Sequence, residues 1–260
     1  LAFIAHALRS KSPLLDLRLF GNKTLSISVV SMTLFMIAFF GASLLYPQYF
    51  IGIRGESTLA AGLLLAPQGL GAMLTMPIAG RLTDKMGPGK FVLGGLVLIV
   101  AGVGTFTFLG ADSSYWLLCG ALFVQGLGMG MTMMPIMSAA LATLKSEQVP
   151  DGSTLVNVVQ QTASSIGTAI ISVLLASNLA AHAESKLAIA SNAAPEEYDK
   201  LVAAGQAPAE VPTQWLDWGA SAFAGAFVVS AVLIAVTFVP AFFLPRKRVA
   251  GAESAPVMMH

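Results

Sequence analysis

The 260-residue chain is 56% hydrophobic and only 10% charged, with a mean hydropathy of +0.78 and a net charge of +1. A water-soluble domain carries about 25% charged residues, so this composition excludes a soluble globular fold and points to lipid as the solvent. The near-neutral balance leaves no nucleic-acid footprint, and the lone Cys119 excludes an intrachain disulfide. His6, His182 and His260 are isolated, with no metal-ligand spacing. No nucleophile–base set can be assembled on one membrane face, so an enzyme reading has no support.

The opening Leu1 to Ala5 is apolar but too short to span, and residues 1–23 are expected to hold the tail of a preceding helix and a linker. On that reading the chain is a fragment of a longer protein. A membrane helix needs about 20 apolar residues to cross about 30 Å of hydrocarbon. Six stretches qualify, at about 24–51, 59–80, 91–109, 115–144, 152–179 and 220–244. None has a charged residue in its interior, where each would cost about 2.5–3.5 kcal/mol. The expected fold is an all-α membrane protein, a six-helix bundle over residues 24–244. The long polar segment 180–219 is expected to hold short surface helices, and residues 245–260 form a tail.

Lysine and arginine set the orientation. Arg9, Lys11, Arg18, Lys23, Arg81, Lys85, Lys90, Lys145, Arg246, Lys247 and Arg248 fall on one side, against Arg54, Lys186 and Lys200 on the other. Basic residues stay cytoplasmic, so both ends are expected inside a plasma (inner) membrane. Trp116, Trp215, Trp218 and Tyr115 then lie at the outer interface.

Amides divide the helices. The third and sixth spans carry no Asn or Gln, whereas the other four carry Gln48, Gln68, Gln125, Asn157, Gln160 and Gln161. An amide facing lipid leaves hydrogen bonds unmade at a cost of several kcal/mol. The four amide-bearing helices should face protein or a water-filled cavity, and the other two lipid. On the fifth span Asn157, Gln160, Gln161, Ser164, Ser165, Thr168 and Ser172 recur at helical spacing. Two readings stand for its hydroxyls, helix–helix glue and cavity lining. Gln160 and Gln161 favour a cavity or an interface between two halves.

Gly126, Gly128 and Gly130 fail the dinucleotide pattern, because Met131 stands where glycine is needed and no strand precedes them. Close helix packing is the better reading, and Pro135 can kink the same helix. The methionines at 129, 131, 133, 134 and 137, with Phe35, Phe39, Tyr46 and Phe50, could be core filler or substrate contacts.

The connection between the second and third spans reads Gly80-Arg81-Leu82-Thr83-Asp84-Lys85-Met86-Gly87-Pro88-Gly89-Lys90. A tight turn needs glycine, and Asp84 is expected just before the next helix, where the dipole favours a carboxylate beside Arg81 or Lys85. This spacing resembles the loop signature of the major facilitator superfamily, matched at Gly80, Leu82, Asp84, Lys85 and Gly87. Pro88 and Gly89 depart from it, and Lys90 supplies a charge one position late. The lead-in Pro13 to Phe20, Ala61 to Pro67, Gln125 to Gly130 and Gly152 to Gly167 resemble the fourteen-helix drug:proton antiporters of the EmrB/QacA type, C-terminal half. The resemblance implies a conformational latch at Gly80, Arg81, Asp84, Lys85, Gly87 and Lys90. It also implies first and fourth spans at a cavity, second and fifth at the interface between halves, and third and sixth against lipid. Leu122 occupies the place of the family's proton-linked arginine, and the proton carrier is expected in the other half.

The function this resemblance implies is that of half a transporter, one that exports small amphipathic compounds by alternating access. No cofactor is expected, and the proton gradient supplies the coupling ion. Its partners are the bilayer, the substrate and the N-terminal half of the same transporter. An uptake permease and a non-transporting membrane component are the rival readings.

Overall fold

The computed structural model describes residue 21, residues 23–141, residue 144 and residues 148–244, with the backbone alone for Asp84, Lys85, Met86 and Ala183. The expected linker and tail, and the lead-in at 13–20, lie outside the described residues. Among the described residues eight α-helices occur in this order: α1 Lys23–Gly52, α2 Thr58–Met86, α3 Pro88–Thr105, α4 Tyr115–Leu141, α5 Val149–Ala180, α6 Ala183–Ala193, α7 Pro195–Ala203 and α8 Thr213–Phe242. A short 3-10 turn, Phe106–Phe108, ends α3. Six of these helices are long and apolar enough to cross a membrane. Among the described residues there is no strand. The chain is a multi-pass membrane protein, and α6 and α7 are the short helices expected in the long polar segment.

Two boundaries differ from expectation by more than four residues. The second helix continues past residue 80 to Met86, so the expected loop is helix, and the link to α3 is the single residue Gly87. Leu82, Thr83, Asp84 and Lys85 are all acceptable in a helix; hydropathy marks where the membrane ends, and not where the hydrogen-bond ladder stops. The last helix begins at Thr213 rather than 220, after Pro212 at its N-cap. Its first turns carry Trp215 and Trp218, and Trp218 stacks on His182 with ring centroids 4.5 Å apart.

Packing has a repeated plan. The closest pairs are α2 on α4 and α3 on α4, matched by α5 on α1 and α8 on α1, with α1 and α4 touching. Exchanging the first three spans for the last three reproduces the pairing, as in transporters built from internal repeats. Small residues make the seams, as expected where lipid removes the hydrophobic drive for association. A Cβ on Gly126 would strike the Gln68 carbonyl of α2, and one on Gly167 the Ile37 carbonyl of α1. The Gly126–Gly130 run is therefore a packing device. Thr75 adds a hydrogen bond from its Oγ1 to the Leu127 carbonyl at 2.9 Å.

The core sits around α1. Phe35, Phe39, Tyr46 and Phe50 are all buried, which settles them as core. Tyr46 packs edge-on to Phe106 at 4.8 Å and beside Phe227 at 5.0 Å. Of the most apolar 18 residues in each span, 61% are buried in α1 and 44% in α4, against 17% in α2 and 22% in α5. The second and fifth spans are thus the open ones. The outward surface of α8 is apolar (Val228, Val232, Val236, Val239), as is Val97 on α3, which suits lipid.

Candidate functional site

Helix α5 has three faces. Leu155, Val156, Ala163, Gly167, Ile171 and Leu175 are buried. At about 3.6 residues per turn, the polar stripe forms the flank beside that face. Asn157, Gln161, Ser165 and Ser172 are exposed, and Gln160, Ser164 and Thr168 are half-buried. The opposite flank is apolar and open, with Val158, Ile166, Ile170 and Val173 exposed. Gln160 reaches α1, its Nε2 lying 3.7 Å from the Met36 sulfur.

The hydroxyls and the amides of this flank differ in what they need. Ser164 and Ser165 each donate to the Gln161 carbonyl at 2.9 Å, and Thr168 donates to the Ser164 carbonyl at 3.0 Å. Their hydrogens are satisfied inside the helix, so they can face any surroundings. Asn157 and Gln161 have no side-chain hydrogen bond among the described residues. In a membrane an amide of that kind needs water, substrate or another protein surface.

The remaining amides are not gathered into one pocket. Gln48 is exposed at the other end of α1, on the rim of a cavity of about 270 Å³ lined by Pro47, Ile51, Leu175, Leu179, Ile189 and Phe223. Gln68 is half-buried beside the seam between α2 and α4. Gln125 departs from the expectation of a cavity or interface residue. Its side chain is fully buried inside the bundle, where Tyr46 donates a hydrogen bond to its Oε1 at 2.7 Å. That bond ties α4 to α1 through the amide oxygen alone, and Gln125 Nε2 is buried without a hydrogen-bond partner among the described residues.

The latch segment is built on Gly87. Its φ of 85° and ψ of 151° lie in a region open essentially to glycine alone. Its N–H closes α2 on the Thr83 carbonyl at 2.9 Å, and Pro88 begins α3 at a position that needs no donor. Asp84 therefore lies in the last turn of α2 and not ahead of α3. This corrects the dipole argument, since a carboxylate is disfavoured at a helix C-terminus. Gly80 is within the helix, Arg81 and Lys90 are exposed, and Gly89 is buried.

Sequence reasoning missed one group. Arg54, counted there only as a stray charge, is held between two connections at the opposite end of the bundle. Its guanidinium donates to the Ala111 carbonyl, and its Nε donates to Tyr115 Oη at 3.2 Å. Those partners are 57 and 61 residues away. Only the charge that breaks the inside–outside pattern pointed to it.

Residues 5–179 match the Major Facilitator Superfamily. The chain is 40% identical, over 99% of its length, to the multidrug resistance protein B homolog of Mycobacterium tuberculosis (strain ATCC 25618 / H37Rv), of which it covers 49%. It is 28% identical, over 95% of its length, to the lincomycin resistance protein LmrB of Bacillus subtilis (strain 168), covering 47% of that protein. The chain thus spans about half the length of these relatives. A superfamily match over residues 5–179, six apolar spans in a repeated pairing and these relatives agree: the chain belongs to the major facilitator superfamily.

Proposed function

We propose that the chain is one six-helix half of a proton-coupled exporter of amphipathic compounds, completed by an N-terminal half. The observation that carries this reading is the pair of open helices. Both α2 and α5 are little buried within the chain, and each offers a broad apolar surface, Leu63, Leu70, Met73 and Leu74 on α2 and Ile166 and Val173 on α5. Such surfaces suit closure against a second half. The amide-bearing flank of α5 would line the space between the halves, where alternating access exposes a midplane site to each side in turn. The resistance names of the relatives support export over uptake, and the proton-carrying group is assigned to the other half.

The test is dye transport in energised inverted vesicles from cells making the full-length protein. Dye should accumulate, and a protonophore should abolish the accumulation. Dye movement that ignores the protonophore would sink proton coupling, and movement only in the opposite direction would favour the uptake permease. Within this assay Asp84→Asn should lower the rate severalfold. Removing a carboxylate from the C-terminal turn of α2 relieves about 0.3–1 kcal/mol of dipole repulsion, so insertion and thermal stability should hold or improve. Unchanged transport would leave Asp84 as an ordinary interfacial residue.

We infer further that the Gly87 end of the bundle is cytoplasmic. Among the described residues Lys23, Arg81, Lys85 and Lys90 lie at that end, and only Arg54, Lys186 and Lys200 lie at the other. In intact cells an impermeant thiol reagent should reach a cysteine at position 206, and should reach one at position 90 only after permeabilisation. The reverse pattern would invert the topology.

A further inference from the structure

At the Arg54 end, three connections converge on the C-terminus of α1. Asn192 of α6 donates from Nδ2 to the Gly52 carbonyl at 3.0 Å. Tyr49 Oη donates to the Gly110 carbonyl at 2.8 Å. Between these lies Arg54, whose side chain is only 13% exposed. Its guanidinium carbon stands 4.5 Å from the centre of the Tyr115 ring. Tyr115 Oη accepts from Arg54 and donates to Glu56 Oε1 at 2.5 Å.

The contacts differ in weight. Asp112 lies 3.9 Å from the guanidinium, but its side chain is fully exposed. An ion pair of that kind contributes little. The phenol is another matter, because it uses both its accepting and its donating capacity. It thereby joins the first residue of α4 to two residues of the α1–α2 connection, the mostly buried cation of Arg54 and the carboxylate of Glu56, two residues before α2. Removing the hydroxyl breaks both links at once and leaves the ring for the cation–π contact.

We propose that Arg54 and Tyr115 are positioning residues that fasten the α1–α2 connection to the α3–α4 connection. The adjoining ends of α1, α2 and α4 then move as one body whenever this end of the bundle opens or closes. The fastening stands on the geometry alone, and its part in transport rests on the exporter reading above.

The experiment uses the full-length transporter in nanodiscs, with all native cysteines, Cys119 among them, replaced by alanine and spin labels at positions 59 and 114, one on each side of the clasp. The parent should give one narrow distance distribution. Tyr115→Phe should broaden it, as should Arg54→Lys, which keeps the charge and loses the fork of donors. Glu56→Gln retains an acceptor and should match the parent. In transport assays Tyr115→Phe should lower the maximal rate about tenfold, the scale of lost hydrogen bonds to charged groups, with KM within about twofold. Narrow distributions in both Tyr115→Phe and Arg54→Lys would overturn the fastening. Broadening with an unchanged maximal rate, or a loss of rate that tracks a loss of folded protein, would overturn the positioning role. A parent that moves no dye would sink the exporter reading and the positioning role with it, while the distances still decide the fastening.

Discussion

Gly126→Ala should lower the melting temperature of the purified transporter, while Gly120→Ala on the same helix should leave it unchanged or raise it. Taken as helix chemistry the two changes are identical, and each improves intrinsic helix propensity by about 0.8–1 kcal/mol. Their surroundings are opposite. A methyl group at Gly120 meets nothing within 4 Å, whereas one at Gly126 meets the carbonyl group and α-carbon of Gln68. That neighbour is backbone and cannot rotate aside, so α2 and α4 must separate. Overpacking of this kind costs about 1–3 kcal/mol, which exceeds the propensity gain over most of that range. The seam is also what holds α2, since α4 is its principal neighbour and its contacts to α1 and α3 are slight. With no hydrophobic force driving helices together in lipid, close packing has no substitute. Thermal unfolding followed by fluorescence-detected size exclusion reads the difference. Equal melting temperatures for the two variants would show that this seam does not hold the bundle.

Much of the fold was legible because lipid imposes a strict length and polarity on what crosses it. The six spans appear where apolar runs predicted them, and errors cluster where helices leave the membrane. Nothing between Gly80 and Met86 breaks a helix, so α2 runs on until Gly87 takes a backbone angle that ends it. The site was legible only by helix. Amides selected the four helices that need polar surroundings, but the facing of each amide depended on partners remote in sequence. Gln125 and Tyr46 are separated by 79 residues, and only the fold brings them together. The aromatic residues of α1 could not be divided into core and contact surface until Phe106 and Phe227 were seen to pack on Tyr46. Arg54 illustrates the same limit for charge. A count records its sign, whereas its role depends on a carbonyl and a phenol beyond two intervening helices.

Cysteines placed around α5 should divide into two classes, a contrast that periodicity alone could not draw. Positions 161 and 165 lie on the flank with exposed amide and hydroxyl groups, and positions 166, 170 and 173 lie among exposed apolar residues on the other side. All five are open in this chain, so differences in labelling must come from what covers them. If the polar flank lines the space between two halves, a water-soluble thiol reagent should reach 161 and 165 in at least one transport state. Ile166, Ile170 and Val173 have no polar group that water must serve, and the second half or lipid should keep the reagent from them. The full-length protein with all its cysteines, Cys119 among them, replaced by alanine gives a clean background. Leucine at both Gln160 and Gln161 then separates chemistry from packing, because it keeps approximate size and removes hydrogen bonding. Membrane hydrogen bonds average about 0.6 kcal/mol in double-mutant cycles, so the double variant should fold and insert. Dye transport should nevertheless fall or change its substrate profile, since those amides then no longer meet water or substrate. Reagent reaching all five positions alike, or none, would remove the distinction between flanks. Unlabelled 161 and 165 together with unchanged transport by the double leucine variant would make the stripe a packing surface for another helix.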